Sequence, residues 1–247
     1  MDMEVLRTKN LVVGYKDKAI LPPINVSLNE GNLIALIGPN GAGKSTLFKT
    51  LTAHIKAVSG EIELFGKELH SYSAKEKATL IGLVLTERPD DMFLKVYDVV
   101  ASGRCPYTNF FGKMKEEDED IIKESLDIVG INHLVNRYFS ALSDGEKQKV
   151  MIAKTIAQNT PIIFMDEPTA FIDYPSKIEL FNLMKKLCNE QNKTIVFSSH
   201  DLELLLRYTD DIWIVSKGKE LIFSNKDDLL DKGIIREYFN LKEDIKI

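Results

Sequence analysis

The sequence predicts an α/β fold with a mainly parallel central sheet. Four short and almost wholly apolar runs, at 33–37, 81–85, 161–165 and 194–198, have the length and composition of strands buried on both faces. Segments with helical hydrophobic spacing lie before or between these runs. Because alternating strands and helices are typical of a parallel sheet covered by helices, this arrangement is the predicted core.

The first part of the chain departs from this alternation. Residues 5–15, 24–28 and 60–64 have the pattern of short strands, and no crossover helices separate them. Strands joined without such helices pair antiparallel. We therefore expect an antiparallel β patch beside the parallel core.

A long helical pattern interrupts the core between 96 and 137. Ile122, Leu126 and Val129 follow the i, i+4, i+7 spacing of one helix face. The acidic run 116–120 stands where a helix N-terminus favours negative charge, and a solvated helix start explains it without a binding role. This region is predicted to be a helical insertion between two core strands.

The length of 247 residues suits one core with a smaller lobe. We expect a single domain over 1–247. In it, 1–86 and 142–247 form the core with its β subdomain, and 87–141 form the helical subdomain.

Charge, cysteine spacing and the length of apolar runs argue against several classes of protein. The net charge is -5, from 32 basic and 37 acidic residues, and no run of Lys or Arg could neutralise a nucleic-acid backbone. Cys105 and Cys188 lack metal-ligand spacing, as expected of free thiols in a reducing compartment. No apolar run approaches the ~18 residues of a bilayer span. The expectation is a cytoplasmic protein that reaches a membrane only through partners.

A glycine-rich segment follows the predicted strand 33–37 and precedes a predicted helix at 45–52. It matches G-x-x-x-x-G-K-[ST], in which backbone N–H groups and a helix N-terminus surround phosphates. We expect Lys44 to reach the β- and γ-phosphates of ATP and Ser45 to contact Mg²⁺. A ligand-free glycine turn is the alternative, which the flanking strand and helix disfavour. The residues predicted to bind the nucleotide are Gly38, Pro39, Asn40, Gly41, Ala42, Gly43, Lys44, Ser45 and Thr46.

Two other strands end in groups suited to hydrolysis. Asp166 and Glu167 follow the apolar run 161–165, and His200 follows the run 194–198. We expect Asp166 to hold Mg²⁺, Glu167 to act as general base on the attacking water, and His200 to contact the γ-phosphate. A capped strand end is the alternative for the two acids, and the phosphate loop disfavours it. With Lys44, these residues are the predicted catalytic set.

The order of these motifs resembles the ATP-binding-cassette (ABC) family over nearly the whole chain. The segment that carries the resemblance is 142–146, Leu-Ser-Asp-Gly-Glu, which is similar to the family signature LSGGQ and precedes the Asp166–Glu167 strand. The resemblance implies a P-loop nucleotide hydrolase core and ATP hydrolysis with Mg²⁺. It also implies that Tyr15 stacks on adenine, with a strand-end aromatic as the alternative.

The same resemblance implies a dimer. In the family, Ser143 and Gly145 would contact the γ-phosphate of ATP bound to a second subunit, and the segment 170–173, ending in Asp173, would meet that subunit. With one cassette per chain, two chains would close head to tail on two ATP molecules.

Three positions depart from the family pattern. Asp144 replaces the first glycine of the signature, and Glu146 replaces its glutamine. Thr86 stands where the family has a glutamine that senses Mg²⁺. The resemblance therefore places Thr86 among the metal-contacting residues, with its shorter hydroxyl or the neighbouring Glu87 as the group that acts.

The helical region suggests a subfamily. The segment 103–107, Gly-Arg-Cys-Pro-Tyr, resembles the ATPases of importers for ferric siderophores, haem and cobalamin. Such a protein works at the inner face of the cell membrane with transmembrane permease subunits and, indirectly, with a substrate-binding protein. The alternative is a soluble ATPase of the same family in DNA repair or translation, which the absence of a basic face disfavours.

A permease would dock on the helical subdomain. Aromatic and apolar side chains commonly anchor such interfaces, and packing inside the subdomain is the alternative role for them. The candidates are Met92, Phe93, Tyr107, Phe110 and Phe111.

Overall fold

A computed structural model of the chain describes residues 3–16, 18–86, 93–109, 112–216 and 221–239. The strands, numbered in chain order, are β1 Glu4–Val12, β2 Gly14–Tyr15, β3 Lys18–Ala19, β4 Ser27–Asn29, β5 Leu33–Ile37, β6 Ser59–Leu64, β7 Lys67–Glu68, β8 Ile81–Val84, β9 Ile162–Met165, β10 Thr194–Ser198, β11 Asp211–Ile214 and β12 Ile222–Asn225. The helices are α1 Lys44–Leu51, α2 Ala74–Leu80, α3 Val96–Ala101, α4 Glu116–Val129, α5 Asp144–Gln158, α6 Tyr174–Gln191, α7 Leu202–Tyr208, α8 Lys226–Asp231 and α9 Ile234–Tyr238.

A six-stranded sheet forms the core, with the strand order β12-β11-β5-β10-β9-β8. The five strands from β11 to β8 are parallel, and only β12 pairs antiparallel, at one edge. All residues of β5, β9 and β10 are buried, because hydrophobic clusters cover both faces of the sheet. The predicted parallel core is confirmed. Because these strands run parallel, the carboxyl ends of β5, β8, β9 and β10 lie at the same edge of the sheet.

The predicted antiparallel patch is a four-stranded sheet with the order β4-β1-β6-β7. The predicted strand at 24–28 begins later than expected, at Ser27, and Ile24 makes an isolated bridge with Leu11. A side chain takes part in the pairing here: the Thr8 hydroxyl donates to the Ile24 carbonyl and accepts from the Val26 N–H, each at 3.0 Å.

The helical region contains α3, α4 and short 3₁₀ turns, with α5 packed against them. Ile122 and Leu126 are buried in a third hydrophobic cluster, as their spacing predicts. Helix α5 contributes Val150, Ala153 and Ala157 to this cluster and its other face to the core, so it joins the two parts. In the described part of the chain, no helix has the length and apolarity that a membrane span requires.

A buried ion pair holds the helical region to the end of α5. The Arg104 guanidinium donates to the Asp118 carboxylate at 2.8 and 2.9 Å and to the carbonyl of Ala157 at 2.8 Å. The Tyr107 hydroxyl donates to the carbonyl of Gln158 at 2.9 Å. These donors satisfy carbonyls at a helix C-terminus, where positive charge is favourable. Two side chains of the segment 103–107 therefore cap α5.

We expect Asp118→Asn to lower the free energy of unfolding by about 3–5 kcal/mol near neutral pH, because it leaves the buried Arg104 cation without a charged partner. The pKa of Asp118 lies below its usual value because the Lys115 N–H donates to the carboxylate; burial opposes this, and Arg104 lowers the pKa further. The difference in unfolding free energy between the wild type and the Asp118→Asn variant is therefore fully present above the pKa of about 3.9 that an aspartate has in the unfolded chain. It disappears as the pH falls through the lower pKa of Asp118 in the folded protein.

Urea unfolding at several pH values measures this difference. The control is Asp120→Asn, which alters an exposed carboxylate 3.8 Å from Lys123 and should change stability by less than about 0.5 kcal/mol. Equal stability of the Asp118→Asn variant and the wild type near neutral pH would contradict the assigned role of the pair.

Candidate active site

The glycine-rich loop connects β5 to α1 and encloses a cavity of about 190 Å³. Gly43 has a φ of 104°, which L side chains rarely adopt, and a Cβ there would lie 2.8 Å from Cγ2 of Ile20. Glycine is therefore required where the loop turns into the helix. The residues that line the cavity are Ile20, Asn40, Gly41, Gly43, Lys44, Ser45, Thr46 and Glu167.

Lys44 is buried inside this loop. Its ammonium donates to the carbonyl of Gly38 at 2.7 Å and to that of Pro39 at 3.4 Å, while the Ala42 N–H donates to the same Pro39 carbonyl. Burial lowers the pKa of Lys44, and the nearby carboxylates of Glu167 and Asp166 oppose that shift. The phosphate loop thus holds a buried cation against its own carbonyl groups.

Ser45 and Asp166 come together as predicted. The Ser45 hydroxyl donates to the Asp166 carboxylate at 2.5 Å, although 121 positions separate them in the chain. A hydroxyl and a carboxylate side by side are the hard oxygen donors that Mg²⁺ prefers. These two residues therefore fit the predicted metal site.

Glu167 lies between the loop and β10 in an unusual backbone conformation. Its φ is 49°, a conformation that costs a non-glycine residue about 1–3 kcal/mol and persists only where the surroundings fix it. The Glu167 N–H donates to the hydroxyl of Ser198 at 2.8 Å, and that hydroxyl donates to the Asp166 carboxylate at 2.7 Å. One buried serine thus positions both acidic residues.

His200 lies beside the acid that the sequence analysis assigned as general base. Its Nε2 is 3.2 Å from Oε1 of Glu167, and both side chains are partly exposed. The following residue, Asp201, pairs with Lys177 of α6 at 2.7 Å and so fixes the segment after β10. The structure therefore brings Lys44, Glu167 and His200 to one edge of the sheet.

Thr86 also lies at this edge, close to the predicted metal residues. Its hydroxyl donates to the backbone carbonyl of Asp166 at 2.9 Å, so its proton is directed at the protein chain. Glu87, the other candidate at this position, lies outside the described residues.

The signature residues lie apart from the phosphate loop. Ser143 caps α5, and its N–H and hydroxyl each donate to the Glu146 carboxylate at 2.8 Å. These bonds lower the pKa of Glu146. A Cβ on Gly145 would lie 2.9 Å from the carbonyl of Phe171, so the signature packs closely on the segment that ends in Asp173.

A separate groove of about 550 Å³ contains these signature residues together with Asp173, which caps α6. None of the described residues that line the phosphate-loop cavity belongs to the signature. Tyr15, predicted to stack on adenine, is 51% exposed in the β2–β3 hairpin, which leads directly into Ile20 of the cavity wall.

Two residues of the site are not predicted from the sequence, Ser198 and Ile20. The sequence pattern could have identified Ser198, because its hydroxyl ends an otherwise apolar strand whose carboxyl end must lie near Asp166. The pattern could not have identified Ile20, because its position depends on how the β2–β3 hairpin packs on Gly43.

We expect Ser198→Ala to lower kcat for ATP hydrolysis by about tenfold with little change in KM, because the acidic residues lose a shared partner. Steady-state kinetics on the purified chain measures this. The control is Ser125→Ala, which removes an equally buried hydroxyl that donates to the Ile121 carbonyl in α4. Wild-type kcat in the Ser198→Ala variant would refute its role.

Comparisons with known proteins agree with this geometry. The ABC transporter family model matches residues 21–170. An uncharacterized ABC transporter ATP-binding protein of Methanocaldococcus jannaschii is 41% identical over 96% of this chain and 82% of its own length. The iron(3+)-hydroxamate import ATP-binding protein FhuC of Bacillus subtilis is 32% identical over 98% of this chain and 90% of its own.

Solved structures show the same fold. An ABC transporter of metal-chelate type in an inward-facing conformation superposes with a TM-score of 0.81 at 28% identity, over 96% of this chain and 90% of the other. A bacterial ABC transporter cassette solved as a dimer has a TM-score of 0.79 at 25% identity, over 90% of this chain and 98% of the other. With its P-loop core and the matched family model, this chain belongs to the ABC transporter family and is one of its ATPases.

Proposed function

We propose that this chain is the ATP-hydrolysing subunit of a membrane importer for a metal-containing nutrient, with an iron(III)-siderophore as the first candidate and haem or cobalamin as the others. The observation that carries the ATPase part is the cavity in which Glu167 faces the phosphate loop. The import function rests on the similarity to import ATP-binding proteins over nearly the full chain.

In this proposal, ATP is bound by the nine loop residues 38–46 named above. The Lys44 ammonium pairs with the negative charge of the β- and γ-phosphates. Ser45 and Asp166 would hold Mg²⁺, which neutralises phosphate charge when bound. Glu167 takes a proton from the attacking water, and His200, beside it, donates a hydrogen bond to the γ-phosphate. Tyr15 stacks on the adenine ring.

The proposal requires two chains. Ser143 and Gly145 line a groove that is separate from the phosphate-loop cavity. Both residues lie at the N-terminus of the long helix α5, where an anion binds favourably. A second chain that brings this groove over the first chain's ATP would complete both sites, with Asp173 at the contact. The Ser143 hydroxyl must turn from Glu146 to reach the phosphate.

We expect Lys44→Ala to weaken ATP binding at least tenfold, because the loop loses its cation. Glu167→Gln should bind ATP with wild-type affinity but lower kcat at least a hundredfold, because it removes only the base. Fluorescent-nucleotide titration and phosphate release measure the two effects. Lys123→Ala, which alters an exposed lysine of α4, is the control.

The Glu167→Gln variant should also accumulate as an ATP-bound dimer in size-exclusion chromatography. A monomer at saturating Mg-ATP together with normal hydrolysis would contradict both the base and the closing dimer.

The helical region supports docking to a permease. Phe93 is 83% exposed, and Leu94 and Tyr138 are exposed near it, where the Phe139 N–H donates to the Leu94 carbonyl. Apolar side chains exposed together are typical of an interface. We propose this patch, Phe93, Leu94 and Tyr138, as part of the contact with transmembrane permease subunits at the cytoplasmic face of the membrane, with a substrate-binding protein acting indirectly.

The other candidates for that contact differ. Tyr107 is half-buried, with the Arg104 guanidinium 3.9 Å from its ring centre, so it belongs to the packing of the helical region. Met92, Phe110 and Phe111 lie outside the described residues.

Deletion of the gene should abolish growth on a ferric siderophore, haem or cobalamin as sole source of the nutrient. The wild-type gene should restore growth, and the Glu167→Gln gene should not. Normal uptake of all three compounds in the deletion strain would overturn the substrate assignment. Co-purification with nucleic acid instead of a membrane protein would favour the alternative, a soluble ATPase of the same family.

A further inference from the structure

Thr86 occupies the position at which the family pattern has a metal-sensing glutamine, and its hydroxyl proton is donated to the protein chain. It donates to the backbone carbonyl of Asp166 at 2.9 Å. We propose that Thr86 is a positioning residue for ATP hydrolysis, which aims Glu167 through the Asp166 peptide and does not contact the metal. This inference rests on the proposed ATPase function and adds a residue to it.

Strand β8, at the edge of the sheet, and the residues after it hold the backbone of Asp166. The Asp166 N–H donates to the carbonyl of Val84 at 2.8 Å, and the Asp166 carbonyl accepts from Thr86. Both backbone polar groups of Asp166 are therefore bonded to the last residue of β8 and to the segment that follows it. The hydroxyl of Thr86 continues, by one bond, the pairing between β8 and β9 after the two strands end.

Ser198 holds the two acidic residues from the opposite side. Ser198, at the end of β10, accepts from the Glu167 N–H and donates to the Asp166 carboxylate. Asp166 and Glu167 thus lie between two hydroxyls, that of Ser198 at the end of β10 and that of Thr86 just after β8. The Thr86 bond is made to the carbonyl of the peptide that joins Asp166 to Glu167.

These bonds hold Glu167 in an unusual backbone conformation. Glu167 has a φ of 49°, a left-handed conformation that persists in a non-glycine residue only where its surroundings fix it. The peptide before it is the one held by Thr86 and Ser198. A general base must be within hydrogen-bond reach of its water. A small rotation of this peptide therefore has a larger effect on the rate of the chemical step than on the affinity for the nucleotide.

The test is Thr86→Val, which keeps the shape of the side chain and removes the donor. We expect kcat to fall about fivefold, the rate equivalent of one neutral hydrogen bond, with KM for ATP and the half-saturating Mg²⁺ concentration unchanged. Thr86→Ser, which keeps the hydroxyl, should restore most of kcat. Thr79→Val is the matched control, because the Thr79 hydroxyl donates to the Glu76 carbonyl on the surface of α2.

Hydrogen–deuterium exchange of the free wild-type and variant chains provides a second readout. In Thr86→Val, amide exchange of Asp166 and Glu167 should become at least threefold faster, and Thr79→Val should leave it unchanged. This readout does not need activity, so a wild-type chain that fails to hydrolyse ATP would refute the proposed function and still leave the role of the Thr86 bond testable.

Three results would overturn the inference. One is an unchanged kcat together with unchanged exchange in Thr86→Val. Another is a raised half-saturating Mg²⁺ concentration with full kcat at saturating Mg²⁺, which would identify Thr86 as a contact of the metal. The third is an equal fall in kcat in Thr86→Ser, which keeps the hydroxyl, because kcat would then not depend on the donor.

Discussion

The site depends on how Asp166 is held at the carboxyl edge of the parallel sheet. Its carboxylate accepts from Ser45, which follows β5, and from Ser198, which ends β10, while its backbone is bonded to the segment that leaves β8. A buried carboxylate is stable only when such donors surround it. The same bonds therefore satisfy the charge, join four segments of the core and set the direction of Glu167.

The helix α5 is the mechanical link between the signature and the rest of the molecule. Ser143 caps its first turn, and Arg104 and Tyr107 bond the carbonyls of its last turn. The amide of Gln158, at the end of the helix, donates to carbonyls at positions 78 and 81, where β8 begins. Hydrogen bonds at the two ends of α5 therefore join the signature, the helical region and the strand that leads to Thr86.

The signature of this chain differs in charge from the family pattern. In place of a neutral glutamine, the Glu146 carboxylate accepts from both Ser143 donors, with Arg137 at 3.5 Å. A phosphate approaching this helix end meets the favourable helix dipole and an unfavourable carboxylate together. Formation of the proposed dimer should therefore depend on cations near the groove, such as Arg137 and Lys149.

The sequence by itself determined the features that depend on local pattern. Apolar runs of strand length predicted the parallel core, and the glycine loop predicted the cavity that holds Lys44, because strand burial and left-handed turns leave direct traces in residue type. The tertiary structure alone decided the partners of Thr86 and Ser198. A hydroxyl can donate to a carboxylate, a carbonyl or a metal-bound water with equal chemistry, so only the registry of β8, β9 and β10 selects among them.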